Sequence, residues 1–328
     1  MPVRRLSSGG MIANYRCPAA CGHCLYGCSP TAQPGYMDEN TAGRLCEGLR
    51  HMGCRGLHIG GGEPFLDTEG LAGLVRAIRE SGLRLDYIET NAAWITGDDA
   101  RNREILSDIT DAGGGCVMVS ADPFHVGFIP FWKPRKLRRL LRDMGIPHFI
   151  WQERYWPLLE RLDPDKTYDG QALTRAFGYD IQHKCAVEGF DLEYGMRFHG
   201  RALNLLRKYG GKKTIEAPSR PCPELRNTDH FHVDFLGRYI PPGCTGMGIL
   251  LEDAGKELGP ANYPVLSRLL AQGLGGLLSY ARELGYRLDP GGYVSKCELC
   301  FDIRKYLISI DGKGHPDLTP ALFYAQDF

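Results

Sequence analysis

Three cysteines crowded into the run Cys17-Pro18-Ala19-Ala20-Cys21-Gly22-His23-Cys24 constrain this 328-residue chain more than any other feature. Thiolates at x3 and x2 spacing on one tight loop can hold three corners of an iron–sulfur cube, whereas a closed structural cubane normally takes four. The fourth iron then stays open to a small molecule. Two other readings compete for such a loop. Structural zinc takes four ligands, commonly as two C-x2-4-C or H-x3-5-H pairs, and free cysteine is often buried as a small hydrophobe. The loop therefore gains its meaning from its neighbours along the chain.

Those neighbours are strand tips. After a helical stretch near 37–52, the apolar run Gly56-Leu57-His58-Ile59 ends in Gly60-Gly61-Gly62-Glu63-Pro64 and turns into Leu71-Ala72-Gly73-Leu74-Val75, which reads as strand, loop, helix. Glycines let backbone approach a ligand closely, and a carboxylate beside backbone acceptors suits an ammonium group. Residues 83–91 alternate as a strand ending at Thr90 and Asn91, and residues 116–122 form a buried strand with a polar tip at Ser120 and Asp122. His125 lies in the same loop. Ser and Asp also start turns and cap helices.

Strands expected near 11–15, 56–59, 84–90, 116–120, 147–151 and 190–195 alternate with helices near 37–52, 68–81, 99–111, 134–143 and 155–162. That interval predicts βαβ units on a parallel sheet. Every motif residue then sits at a C-terminal strand end, where α/β barrels keep their sites.

In this register the motifs resemble those of the radical S-adenosylmethionine (SAM) enzymes. The cysteine loop is similar to the family's C-x3-C-x-aromatic-C, with His23 in the place of the ring, and Gly61-Gly62-Glu63-Pro64 is similar to its GGEP motif. The Thr90-Asn91 tip resembles a ribose-contacting turn, although Ala92 replaces the usual glycine, and Gly200-Arg201-Ala202 resembles a tripeptide of the branch that carries further clusters. The resemblance implies a partial (β/α)6 TIM-like barrel. Cys17, Cys21 and Cys24 would hold a [4Fe-4S] cluster. SAM would be held by His23, Gly60, Gly61, Gly62, Glu63, Pro64, Thr90, Asn91, Ser120 and Asp122, with Asp122 and His125 as the candidate catalytic residues. One electron from a flavodoxin or ferredoxin would then cleave SAM to a 5′-deoxyadenosyl radical that abstracts a substrate hydrogen atom.

A second domain is expected to begin at the proline-punctuated stretch 217–221, giving a core over 1–215 and a smaller α+β domain over 216–328. Cys222 and Cys244 flank a hairpin built from 231–235 and 239–242, and Cys297-Glu298-Leu299-Cys300 opens a helix running to about Ile308. Four thiolates are the complement of one closed cluster and suit tetrahedral zinc equally well. Beside a radical SAM core the arrangement resembles the twitch domain, the shortened relative of the SPASM domain, and implies an auxiliary [4Fe-4S] cluster. No cysteine comes after Cys300, so a second auxiliary cluster is not expected. Cys46, Cys54 and Cys116 read as core packing, and so do Cys28 and Cys185, with a thiol donor or extra ligand as their alternative.

Composition narrows the partners. Lys plus Arg equals Asp plus Glu at 39 each, which offers no electrostatic case for nucleic acid or membrane. The basic run 133–142 carries leucines at helical spacing and reads as an outer helix with a solvated face. No apolar h-region succeeds the N-terminal arginines, and twelve cysteines without a signal favour metal ligation in a reducing, cytoplasmic setting. The expected substrate is a peptide or a small metabolite, oxidised or joined by radical chemistry. The rival reading is a non-enzymatic zinc-binding interaction module.

Overall fold

The computed structural model describes residues 5–188, 199–311 and 314–326. Five strands, β1 (Ser8–Ile12), β2 (Gly56–Gly60), β3 (Arg84–Thr90), β4 (Val117–Ser120) and β5 (His148–Trp151), lie parallel and in sequence order. Helices α1 (Glu39–His51), α2 (Thr68–Glu80), α3 (Asp99–Ala112) and α4 (Trp132–Asp143) connect them. Each of the first three starts on an aspartate, Asp38, Asp67 or Asp98, whose carboxylate accepts from backbone amides of the first turn. Such caps stabilise a helix by about 1 kcal/mol each. Apolar residues at helical spacing, Leu45 and Leu49 on α1 and Leu71, Leu74 and Ile78 on α2, bury against the sheet.

Strands β2 to β5 fall where their apolar runs predict, whereas β1 begins three residues earlier than expected. The segment Ser8-Gly9-Gly10 has poor strand propensity. Its neighbours explain the glycines: a Cβ on Gly9 would lie 2.5 Å from the Phe231 carbonyl, and one on Gly10 would lie 2.3 Å from a ring nitrogen of His58.

Beyond α4 come the short helices α5 (Trp156–Leu159), α6 (Gly170–Phe177), α7 (Ile181–Glu188) and α8 (Leu203–Tyr209). The strand expected near 190–195 lies outside the described residues. The predicted hairpin is β6 (Phe231–Asp234) and β7 (Arg238–Ile240), extended by β8 (Ile249–Leu250). It does not stand apart from the sheet. Strand β6 pairs in parallel with β1 on the side opposite β2, so the strand order is β5-β4-β3-β2-β1-β6-β7-β8. Among the described residues the sheet is open, with β5 and β8 at its edges. Helices α9 (Pro264–Glu283), α10 (Lys296–Ile310) and α11 (Ala321–Tyr324) complete the chain, and Leu277 and Ile303 from them share one apolar core with Leu57 of β2 and Phe231 of β6. No helix among the described residues is long and apolar enough to cross a membrane.

Candidate cluster and ligand site

The cysteine loop leaves the C-terminal end of β1 and is closed by the Cys17 amide donating to the Ser29 carbonyl at 3.1 Å. Cys17 and Cys21 are buried and Cys24 is partly exposed. Their sulfurs are placed as acceptors. The Ala19 amide (3.4 Å) and the Asn91 side-chain amide (3.2 Å) point at Cys17 Sγ, and the Cys28 amide points at Cys24 Sγ (3.3 Å). The Cys24 thiol is drawn down to about 6, chiefly by hydrogen bonding from the Cys28 side chain and further by Arg201. Burial pushes Cys17 up to about 12 and Cys21 well above the usual thiol range. A coordinating metal deprotonates thiols outright.

Arg201 braces this loop, a role to which its tripeptide was the only clue. Its guanidinium donates to the carbonyls of Cys21 (2.9 Å), Gly27 (2.9 Å) and Cys28 (3.0 Å), and its backbone amide donates to Cys24 (3.1 Å). Gly200 has φ 56°, and a Cβ there would sit 2.0 Å from the Leu25 carbonyl. Only glycine allows that approach.

The tips of β2 and β3 are joined by Glu63, which is wholly buried. One carboxylate oxygen accepts from the Phe65 amide (3.1 Å) and the Thr90 hydroxyl (2.9 Å), the other from the Asn91 amide (2.8 Å). Burial nevertheless pushes Glu63 up to about 7. Gly61 and Gly62 give their space to backbone: a Cβ would meet the Asn14 carbonyl at 2.5 Å from Gly61 and the Arg16 carbonyl at 1.8 Å from Gly62. Pro64 is buried behind them, opening a 3-10 turn. Ala92, standing where the resemblance expects glycine, keeps a glycine-like φ of 64°.

At the tip of β4, buried Asp122 lies between two imidazoles, 3.4 Å from His23 Nε2 and 3.0 Å from His125 Nδ1. Against burial, those imidazoles and the Phe124 and His125 amides hold its carboxyl well below the usual range. Against burial again, Asp122 raises His125, whereas burial lowers His23 to about 4. His23 stacks on Trp151 of β5 (centroids 5.3 Å, 11°) and packs on Phe124.

All these tips open on one cavity of about 1320 Å3, larger than the roughly 300–1,000 Å3 of most ligand pockets. Its walls carry Cys17, Cys21, Cys24 and His23 together with Gly60, Gly61, Gly62, Thr90, Asn91, Ser120 and His125. Glu63 and Asp122 lie behind these walls, where they hold the lining residues.

The second cysteine set also gathers. Cys244, just past β7, feels the charges of Cys300, Cys222 and Cys297, and burial drives its thiol well up. Cys222 donates to Glu224 at 2.8 Å, and Lys296 pairs with the same carboxylate. Of the others, Cys46, Cys54 and Cys185 are buried in the apolar cores, Cys116 is partly exposed, and Cys28 Sγ donates to the Gly61 carbonyl at 3.4 Å.

Residues 11–119, which include the cysteine loop, match the family model described as a 4Fe-4S single cluster domain. No curated protein matches the chain. Among solved structures the chain is similar to native anSMEcpe with bound AdoMet, at 14% identity over 93% of this chain and 97% of that one, with a TM-score of 0.43. It is also similar to BtrN in complex with AdoMet and 2-DOIA (14%, 79% and 78%, 0.36) and to Streptococcus suis SuiB (14%, 89% and 76%, 0.37).

Proposed function

We propose that this chain is a radical SAM enzyme in which Cys17, Cys21 and Cys24 hold a cubane with one open iron at the wall of the large cavity. The observation that carries the reading is that Cys17, Cys21 and Cys24 line one cavity together with the tips of β2, β3 and β4. Bound there, the cluster and SAM together supply one-electron cleavage of a sulfonium and a radical able to take a hydrogen atom from substrate, chemistry that belongs to the cofactors.

The chain's own residues position and enclose. Gly60 to Gly62, Thr90, Asn91 and Ser120, which line the cavity, would hold SAM. Glu63 fixes the Thr90 and Asn91 tips through two hydrogen bonds and accepts a third from the Phe65 amide, and Pro64 starts the turn that holds its side chain in place. Asp122 orients His125 and His23, leaving His125 at the cavity wall as a proton-bearing group beside the substrate. Trp151 and Phe124 pack about His23 and exclude water from the cluster side.

Cys222, Cys244, Cys297 and Cys300 hold an auxiliary [4Fe-4S] cluster in the 216–328 domain, beside the 1–215 core. An oxidation or radical bond formation on a peptide or small metabolite fits a second redox centre better than an isomerisation. The electron donor is a flavodoxin or ferredoxin.

The test is anaerobic. Reconstituted, dithionite-reduced protein incubated with SAM should release 5′-deoxyadenosine. The C17A/C21A/C24A variant should release none, and the C297A/C300A variant should still release it without forming product. Absence of 5′-deoxyadenosine from the reconstituted wild type would overturn the reading.

A further inference from the structure

Away from the cysteine loop, the same cavity holds three histidines that the reaction above does not use. His58 faces it from the middle of β2, His232 from β6 and His230 from the residue before β6. One ring nitrogen from each lies within 4.8 Å of those of the other two. The distances have a common geometric origin. Imidazole nitrogens 2.0–2.1 Å from one tetrahedral ion stand about 3.3–3.4 Å apart, and their ring centres, about 1.1 Å farther out, stand about 5.2 Å apart. Here His58 Nε2 and His232 Nε2 are 3.3 Å apart. The three ring-centre separations are 5.2 Å for His58 to His230, 5.2 Å for His58 to His232 and 5.3 Å for His230 to His232. Three rings at one separation surround a point.

The strands are shaped to permit this. Gly10 of β1 is the register partner of His58 on one side and of His232 on the other. A side chain at Gly10 would lie 2.3 Å from His58 Nε2 and 2.5 Å from His232 Cδ2. Its absence lets two imidazoles meet across the strand between them. His58 also hydrogen-bonds the Gly9 backbone, and Tyr87 stacks on its face at 4.9 Å. Metal-binding imidazoles are commonly oriented by such an outer hydrogen bond. Glu89 on β3 approaches His58 Nε2 to 3.6 Å.

We propose that His58, His230 and His232 form a mononuclear site for a divalent first-row transition ion, with tetrahedral spacing that favours Zn2+ over Fe2+. Three imidazoles suit either ion. They leave a fourth position facing the cavity, beside Glu89, for an oxygen or nitrogen donor of the substrate. The proposal does not rest on the SAM reading, since zinc uptake by these imidazoles in a protein that never cleaves SAM would uphold one and sink the other.

Protein with reconstituted clusters is freed of loosely held metal with EDTA and titrated with Zn2+ alone, or in a separate arm Fe2+ alone, against a chromophoric chelator. The wild type should take up one equivalent of Zn2+. Its zinc absorption edge should show nitrogen at about 2.0 Å and no sulfur at 2.3 Å. H58N and H232N should bind more than tenfold more weakly with cluster iron unchanged. H230N guards against misfolding, because His230 has φ 57° and asparagine tolerates that conformation well. Zn2+ should raise the melting temperature of the wild type and leave that of H230N unmoved. No uptake by the wild type, equal uptake by H230N, or sulfur around the zinc would overturn the proposal. Uptake of Fe2+ but not Zn2+ would overturn the tetrahedral assignment.

Discussion

Asn91 donates its side-chain amide to the Cys17 sulfur across 3.2 Å while Glu63 holds its backbone amide at 2.8 Å. One residue thus ties the β3 tip to the cysteine loop. Hydrogen bonds to cluster sulfurs help set the reduction potential. Losing a bond worth about 1 kcal/mol corresponds to about 40 mV for one electron, since a tenfold change is 59 mV. The N91A variant should therefore shift the N-terminal cluster to a more negative potential by tens of millivolts. An EPR-monitored redox titration measures it, and an unchanged potential would mean that the amide does not see the cluster.

Arg201 reaches three carbonyls of the cysteine loop with one planar fork. Lysine keeps the charge and loses the fork. R201K should retain the overall fold but lose a large part of the N-terminal iron on gel filtration, because bonds from a charged donor contribute about 1.5–3 kcal/mol each. Iron content per chain, compared with that of C297A/C300A, tells which cluster has gone. Full retention of iron in R201K would remove the bracing role.

The Asp122–His125 pair carries a pH signature. Asp122 raises His125 above its usual value, so this contribution is complete below about 6.5, the unfolded histidine value, and fades as pH rises through the raised folded value. Asp122 is itself depressed, so its contribution is lost as pH falls below the usual carboxylate range. The melting-temperature gap between wild type and D122N should be widest near pH 5.5 and narrow toward pH 9. Breaking a buried pair costs about 3–5 kcal/mol, so the gap at pH 5.5 should be several degrees. A gap that widens toward pH 9 would contradict the assignment.

Ala92 holds φ 64° with its side chain buried. That conformation costs a non-glycine residue about 1–2 kcal/mol, against about 0.4–1 kcal/mol of unfolded-state entropy that alanine saves over glycine. A92G should melt at or slightly above the wild-type temperature, and A92V several degrees below. Equal destabilisation by both would show that the side chain is needed there.

Much of this was legible in the sequence. Strands β2 to β5 carry apolar runs whose tips end in chemistry-bearing residues, and the parallel-sheet logic brings Gly61, Asn91 and Ser120 to one end. Other features depend on distant packing. The start of β1 is two glycines, residues of low strand propensity that make sense only beside Phe231 and His58. That β6 pairs with β1 joins segments more than two hundred residues apart, which no local period encodes. Glu63 looks like a ligand-facing carboxylate in its motif, yet its oxygens are taken by Phe65, Thr90 and Asn91. The histidine trio shows no spacing signal at all, since His58 stands far along the chain from the other two.

The proposed radical chemistry would require a cluster with an open iron, held by Cys17, Cys21 and Cys24. The EPR spectrum of the reduced C297A/C300A protein, which keeps only that cluster, reads it out when recorded with and without SAM. An open iron requires about four irons per chain, a brown protein with a broad band near 400 nm, and a reduced-cluster signal whose g values shift when SAM is added. A colourless, zinc-loaded protein, or a cluster signal that SAM leaves unchanged, would contradict it.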